Sequence, residues 1–354
     1  MANFDIKKLL QSVVTHGASD LHLVSRTEPQ IRLDGALKPV NLPKLTGEDI
    51  EEMAYSLITE KQKQQFEEHN ELDFALLLPG IGRFRANYYR TLGDVGAAFR
   101  TIPIDIPSLD DIGAPEVYKK LIKREKGLIL VTGPTGSGKS TTLAAMLNEI
   151  NLNEQKHVVT VEDPVEFIHQ NKKCVFSHRG VGEDTKTFAI ALKYAMRQDP
   201  DIIMIGEMRD KETIEAALTS AETGHLVFGT LHTSSAPGTI NRIIDVFTGD
   251  EQPQIRAMIS TSLVAIIAQA LLPKLGGGRV AASEILVVNH AIANLIREDK
   301  VHQIYSQMQL GQGNTGMITQ TQVLVKYIKD GKVSRDVALR FSNKPEELSK
   351  AIAR

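Results

Sequence analysis

The chain has 354 residues, of which 42% are hydrophobic and 24% are charged, and these values suit a soluble globular protein of two domains. The net charge of -2 gives no reason to expect nucleic acid as a partner, and the single cysteine, Cys174, excludes a disulfide framework or a four-cysteine zinc site within one chain. No signal peptide is apparent, and the longest apolar run, residues 263–272, is too short to cross a bilayer, so we expect a cytoplasmic protein that is at most peripheral to a membrane.

The first 102 residues read as a small α+β domain with an antiparallel sheet. Apolar periodicity predicts a helix over residues 4–14, with Gly17 in the C-capping position. Asp34-Gly35 between apolar residues predicts a hairpin, and Thr46 can cap a second helix. Three strand-like runs follow, at residues 72–78, 83–90 and 95–102. Residues 103–115 contain three prolines and a glycine, which predicts a linker.

From residue 116 onward the pattern is that of a parallel sheet. Short apolar runs alternate with helical stretches, which indicates strands buried on both faces of a sheet. These runs are residues 127–132, 158–161, 202–206 and 226–231. Beyond about residue 251 we expect mostly helix, with one strand near residues 280–288.

A complete P-loop motif, G-x-x-x-x-G-K-[ST], follows the first of these strands and opens a helix. It comprises Gly133, Pro134, Thr135, Gly136, Ser137, Gly138, Lys139 and Ser140, and Thr141 continues the helix. Backbone N–H groups of such a loop converge on phosphate oxygens, and the helix N-terminus adds its positive end. We therefore expect these nine residues to bind ATP, with Lys139 at the β- and γ-phosphates and Ser140 as a ligand of Mg²⁺.

Two acidic residues are the candidates for activating water. Gly206 occupies the position where the second metal-site strand of P-loop proteins usually ends in Asp, and Glu207 follows it. Glu162 comes at the end of another predicted strand, and ends of neighbouring parallel strands meet at the ligand crevice. Mg²⁺ prefers hard oxygen ligands, so we assign Glu207 to the metal and Glu162 to the base that orients water, although the two roles can be exchanged.

One histidine and three arginines complete the predicted site. His232 follows the strand at residues 226–231 and is a candidate sensor of the γ-phosphate, with a structural role as the alternative. Arg83, Arg85 and Arg100 lie in predicted N-domain strands. An arginine from another domain or subunit can stabilise the charge of the transition state in P-loop motors, and a solvated strand face is the alternative.

Taken together, these residues resemble the secretion and pilus motor ATPases, and within them the type IV pilus retraction ATPases. The resemblance covers nearly the whole chain. Besides the P-loop it includes residues 17–22 (GASDLH), 162–166 (EDPVE), 201–210 (DIIMIGEMRD) and 223–233 (TGHLVFGTLHT). It implies an α/β fold class, in which a C-terminal RecA-like P-loop ATPase domain (116–354) follows a smaller N-terminal α+β PAS-like domain (1–102) and the linker (103–115).

The resemblance also implies partners and a location. It implies a homohexameric ring that holds ATP at the cleft between the domains, with arginines supplied by the N-domain or a neighbour. The ring would lie at the inner face of the cytoplasmic membrane and turn an inner-membrane platform protein, which depolymerises pilin in retraction and twitching motility. No nucleic acid is expected.

Two features favour retraction over assembly. Assembly and type II secretion ATPases usually carry a four-cysteine zinc module, which this chain cannot form. Residues 291–298 read AIANLIRE, similar to the retraction signature AIRNLIRE, with Ala293 in place of the family arginine. An assembly, accessory or type II secretion ATPase is the alternative, followed by a nucleic-acid translocase with the same core and a small-molecule kinase.

Overall fold

The computed structural model describes residues 5–33, 36–103, 105–311 and 315–353. The chain divides into two compact units. The first runs as far as Asp105 and also takes in Pro164–Ile168, whereas the second comprises Ile106–Asp163 and the chain from His169 onward. Within the described residues, no helix combines the length and the apolar character that crossing a membrane requires.

The first unit contains one antiparallel sheet and a helical layer. The described helices are α1 (Ile6–Thr15), α2 (Gly47–Tyr55) and α3 (Glu60–His69). The strands are β1 (Asp20–Leu23), β2 (Gln30–Leu33), β3 (Ala36–Pro39), β4 (Glu71–Leu78), β5 (Gly82–Thr91) and β6 (Asp94–Ile102). They form a six-stranded sheet in the order β3-β2-β1-β6-β5-β4.

Local sequence signals account for much of this unit. The three predicted strand runs coincide with β4, β5 and β6. The predicted first helix is α1, in which Asp5 accepts hydrogen bonds from the backbone at the N-terminus, and Gly17 beyond its end has a φ of +66°. Strands β2 and β3 pair antiparallel, as the predicted hairpin requires, whereas its turn at Asp34-Gly35 lies outside the described residues.

The second unit is built on a seven-stranded sheet. Its strands are β7 (Gly127–Thr132), β8 (His157–Glu162), β9 (Val175–Gly180), β10 (Ile202–Ile205), β11 (Leu226–Leu231), β12 (Leu263–Pro273) and β13 (Arg279–Val287). Their order is β13-β12-β7-β11-β10-β8-β9. Only the β12–β13 pair is antiparallel among these strands. The predicted α/β class with a parallel sheet is therefore confirmed.

Helices connect and cover these strands. In the described residues they are α4 (Val117–Leu121), α5 (Lys139–Asn153), α6 (Phe188–Ala195), α7 (Lys211–Glu222), α8 (Ala236–Ile244), α9 (Gln252–Ser262), α10 (His290–Arg297), α11 (Ile304–Leu310), α12 (Gln320–Lys329), α13 (Arg335–Phe341) and α14 (Pro345–Ile352). Two apolar clusters contain alternate side chains of the interior strand β7, with Leu128 and Leu130 in one and Ile129 and Val131 in the other. Both faces of the sheet are therefore buried, which explains why its strands are continuously apolar.

The segment after residue 251 differs from the prediction of one strand among helices. The apolar run at residues 263–272 belongs to β12, which pairs in parallel with β7 and antiparallel with β13. A run of this length is consistent with a buried strand or a buried helix, and only its pairing with β7 decides between them.

Most of the proline-containing segment at residues 103–115 belongs to the second unit. Residues from Ile106 onward belong to the second unit, where Leu109 is 1% exposed and shares a core cluster with Tyr118. The prolines keep this segment irregular, and the burial of Leu109 attaches the part from Ile106 onward to the second unit.

Candidate active site

The loop from Gly133 to Gly138 is held in a conformation that requires glycine. Gly133 has a φ of +146°, and a Cβ atom on it would lie 2.2 Å from the carbonyl oxygen of Gln269. Gly138, which directly precedes α5, has a φ of +88°. Side chains at these two positions would collide or be strained, so this loop conformation requires glycine at both.

The N-terminus of α5 is open toward this loop. Among the described residues, no side chain caps the helix, and its first turn contains no acidic residue. Lys139 donates from Nζ to the carbonyl oxygens of Gly133 and Pro134, at 2.9 and 3.2 Å. The loop therefore offers backbone N–H groups, the positive end of a helix and an ammonium group together, which is the chemistry of a phosphate site. Ser140 and Thr141 lie half-buried in the same turn.

Gln269 on β12, which belongs to no sequence motif, braces this loop. Its side-chain Nε2 donates to the carbonyl oxygen of Ser137 at 2.6 Å, and its Oε1 accepts from the hydroxyl of Thr142 at 2.9 Å. Gln269 is 5% exposed. A single amide within an apolar strand was the available signal, because a buried polar side chain needs hydrogen-bond partners.

The two acidic candidates follow neighbouring parallel strands. Glu162 ends β8 and is 6% exposed, and Glu207 lies two residues after the end of β10. Between them in space is Gly206, whose N–H donates to the carbonyl oxygen of Val161 at 2.7 Å. A Cβ atom on Gly206 would lie 3.2 Å from the Cα of Glu162, so there is little room for the aspartate that P-loop proteins usually have here.

His232 lies beside Glu207. Its Nε2 is 3.0 Å from Oε1 of Glu207, which also pairs with Arg209. His232 follows β11, the strand between β7 and β10, so it stands at the same edge of the sheet as the P-loop. By contrast, His225 precedes β11 and bonds through Nδ1 to the carbonyl oxygen of Ser220, at the opposite edge.

The three predicted arginines lie in the first unit and contact groups of that unit. Arg83 donates from Nη1 to the carbonyl oxygen of Glu166 at 2.7 Å. Arg85 binds the carboxylate of Asp73 through two nitrogens, and Arg100 donates from Nε to Asp20 at 2.8 Å. Arg85 and Arg100 stand directly opposite each other on β5 and β6, so both project from one face of that sheet. Their role toward a nucleotide stays a prediction.

A cavity of about 800 Å³ opens next to the first turn of α5 within the second unit. Gly138, Thr141, Leu271, Arg279 and Tyr118 are among its lining residues. Tyr118 is 2% exposed, and burial raises the pKa of its phenol above its ordinary value. The P-loop motif already marks Gly138 and Thr141, whereas nothing in the sequence points to Leu271, Arg279 and Tyr118, which come from separate parts of the chain and meet only through folding.

The structure also bears on metal binding. Among the described residues there is no cluster of three His, Cys, Asp or Glu side chains that could hold a metal ion by themselves. An ion at this site would therefore have to share its coordination between a few protein oxygens, such as those of Ser140 and Glu207, and other ligands. This is the usual arrangement for Mg²⁺, which keeps waters and binds substrate phosphates.

Comparison with known proteins gives consistent matches along the chain. The family described as "Type II/IV secretion system protein" matches residues 2–277. The type IV pilus retractation ATPase PilT of Pseudomonas aeruginosa is 49% identical over 342 residues, which are 97% of this chain and 99% of that protein. The twitching motility protein of Neisseria gonorrhoeae is 44% identical over 347 residues, 98% of this chain and 92% of that protein.

A solved structure matches equally well. The crystal structure of the pilus retraction motor PilT with bound ADP has a TM-score of 0.91 and 48% sequence identity, and the match covers 98% of this chain and 99% of that one.

Proposed function

Because the chain belongs to the type II/IV secretion system protein family, and within it to the PilT-like pilus retraction ATPases, we propose that it is a hexameric motor whose ATP hydrolysis drives the retraction of type IV pili. The chain is an ATP hydrolase by its family membership. The observation that carries the proposal is the P-loop at the edge of the sheet where Glu207 and His232 stand 3.0 Å apart.

In the proposed site, the triphosphate lies on residues 133–141 and the nucleoside extends into the cavity beside α5. Support for the nucleoside position comes from the lining residues Gly138 and Thr141, which the cavity shares with the P-loop. Lys139 would neutralise the β- and γ-phosphates, and its contacts with Gly133 and Pro134 already hold its ammonium group at the loop.

Mg²⁺ fits the oxygen donors available here. The hydroxyl of Ser140 and the carboxylate of Glu207 would hold it, and the ion would supply charge neutralisation at the phosphates. Glu162 would orient the attacking water, because its carboxylate is shielded from solvent at the end of β8. His232 would sense the γ-phosphate through its ring while remaining bound to Glu207.

We further propose the partners that the family resemblance implies. Six copies would form a ring at the inner face of the cytoplasmic membrane and act on a platform protein of the inner membrane. Arg83, Arg85 or Arg100 would stabilise the charge of the transition state. Helix α10 supports the choice of retraction over assembly, because it presents Asn294 and Arg297 of the retraction-like signature at the surface while Ile292 and Ile296 anchor it in the core.

Phosphate release from ATP and Mg²⁺ tests the enzymatic part. Lys139→Ala should abolish turnover, and Glu162→Gln and Glu207→Gln should each reduce it by about 100-fold or more while ATP still binds. Lys156→Ala, which removes a cation next to the start of β8, is the matched control and should hydrolyse ATP normally. Wild-type rates in both glutamine variants would contradict the assigned roles.

A deletion in the host tests the biological part. Loss of retraction should leave cells with an excess of surface pili that cannot twitch. Cells without pili would instead indicate an assembly motor and would exclude retraction.

A further inference from the structure

The turn that follows His232 is held from outside the nucleotide site. We call residues 232–236 the His232 turn. It joins the end of β11 to the start of α8, so its position sets where the ring of His232 can lie. The contacts that hold it come largely from β13 and from the C-terminal helices, which contribute nothing to the P-loop motif.

The central contact is made by a buried carboxylate, Glu284 on β13. Its Oε1 accepts the backbone N–H of Ala236 at 2.8 Å, and its Oε2 accepts the backbone N–H of Gln320 at 3.3 Å. These two donors lie in the first turns of α8 and α12. Glu284 is 3% exposed, so it joins two helix N-termini away from solvent.

A second contact reaches the same turn from the loop between α13 and α14. Asn343 donates from Nδ2 to the carbonyl oxygen of Ser234 at 2.7 Å, and its backbone N–H donates to Oε1 of Gln320 at 2.8 Å. Gln320 in turn donates to the carbonyl oxygen of Phe341 at 3.3 Å. The chain of bonds therefore runs without a gap from the C-terminal helices to the His232 turn.

The other side of the turn is connected to the strand that leads into the P-loop. Thr239 donates to the carbonyl oxygen of Ser235 at 2.8 Å, and its hydroxyl lies 2.7 Å from that of Thr233 and 3.5 Å from that of Thr132. Thr132 is the last residue of β7. The turn is thus fixed between the P-loop strand on one side and Glu284 with Asn343 on the other.

We propose that Glu284 and Asn343 are positioning residues for His232, through which the C-terminal helices set the rate of ATP hydrolysis. The inference rests on the proposed role of His232 at the γ-phosphate. Neither residue touches the nucleotide site itself. They act by restricting the backbone from Ser234 to Ala236, which keeps the imidazole against Glu207 and in reach of a phosphate oxygen.

Steady-state hydrolysis and ADP binding by the full-length protein test this. Glu284→Gln replaces one acceptor oxygen by an amide that faces a backbone donor, and Asn343→Ala removes an exposed donor with little risk to folding. We expect kcat to fall about 5- to 20-fold for Glu284→Gln and about 2- to 5-fold for Asn343→Ala, since each loses a hydrogen bond. ADP affinity should stay unchanged, because the P-loop is intact.

Lys350→Ala is the matched control. It removes an exposed ammonium group from α14 that makes no bond to the His232 turn, and it should leave kcat unchanged. Hydrogen exchange should also rise at the amide of Ala236 in Glu284→Gln and not in the control. A general loss of structure would instead lower ADP affinity and protection throughout.

The double variant of Asn343→Ala with His232→Ala separates the possible failures. If Asn343 acts through His232, its substitution should have no further effect once His232 is gone. The inference would be overturned if the double variant lost as much kcat as the two single variants combined. It would also be overturned if His232→Ala were impaired while Glu284→Gln and Asn343→Ala both kept the wild-type kcat. If His232→Ala itself turned over normally, the proposed role of His232 would fail first and the inference with it. Should Glu284→Gln not fold, the Asn343 variant decides alone.

Discussion

Replacing Gln269 by leucine should loosen the phosphate loop without touching any residue of its motif. The variant removes the bond from Nε2 to the carbonyl oxygen of Ser137 and the bond from the hydroxyl of Thr142 to Oε1. Thr142 can turn its hydroxyl to a carbonyl of its own helix, whereas the carbonyl of Ser137 stays buried without its partner. One unsatisfied buried acceptor costs about 1–3 kcal/mol.

Both stability and affinity should therefore change. For a unit of this size, each kcal/mol of unfolding free energy that is lost lowers the melting temperature by about 2–4 °C. ADP should bind about 3- to 10-fold more weakly, because binding must then order the loop again, at a cost of about 1 kcal/mol. Differential scanning fluorimetry and calorimetric titration with ADP measure the two effects.

Thr142→Val is the informative control for Gln269→Leu. It removes only the bond to Oε1 of Gln269 and keeps the bond to Ser137. It should lower the melting temperature by a comparable amount, because Oε1 then stays buried without its donor, but it should leave ADP affinity unchanged. If Gln269→Leu bound ADP as tightly as the wild type, the loop would hold its own conformation and the bracing role assigned to Gln269 would be wrong.

Three further results are expected. His169 is 5% exposed, and burial, followed by the nearby positive charges of His178 and Lys172, lowers its pKa to about 3, so the unfolded chain binds one more proton between pH 6.5 and 3. This difference leaves the free energy of unfolding unchanged above pH 6.5 and lowers it by about 1.4 kcal/mol per pH unit below that. His169→Phe removes this loss, so between neutral pH and pH 5 its free energy of unfolding, measured with urea, should fall by about 2 kcal/mol less than that of the wild type. Combined Asn294→Ala and Arg297→Ala should stop twitching while phosphate release persists, because both side chains are exposed on α10. Normal twitching of this variant would show that residues 291–298 have no special role in retraction. The thiol of Cys174 is 1% exposed with its pKa raised by burial, so a water-soluble disulfide reagent should label it only after denaturation, and rapid labelling of native protein would contradict the burial.

The sequence predicts best those features that are encoded by neighbouring residues. The strand at Leu226–Leu231 is an apolar run between polar turns, and the P-loop is a contiguous motif with a strand before it and a helix after it. Three strands of the first unit, β4 to β6, were also predicted because alternating side chains mark a sheet with one buried face. In each case the signal lies within about ten residues of the feature it predicts.

Features that depend on residues distant in sequence are not predicted, because no local pattern marks such contacts. The apolar residues of β12 fit a helix equally well until β7 supplies a parallel neighbour. Gln269 could be seen as a polar residue in an apolar run, but its partners Ser137 and Thr142 lie far away in sequence. The contacts of Glu284 with Ala236 and Gln320 are of the same kind, since nothing local in the sequence pairs these residues.

The place of Gly206 shows why the acidic residues of this site are arranged as they are. Strands β8 and β10 are adjacent, and the Gly206 backbone packs directly on the end of β8. A Cβ atom at position 206 would lie 3.2 Å from Cα and 3.3 Å from Cγ of Glu162, which is tighter than ordinary van der Waals contact. A side chain at this position would therefore require Glu162 to shift by a few tenths of an ångström. With glycine at 206, one carboxylate can stay buried at the end of β8, and the second comes from Glu207, one residue farther on, where it meets His232. The glycine thus leaves Glu162 its space at the end of β8, while Glu207 supplies the second acidic group at this edge of the sheet.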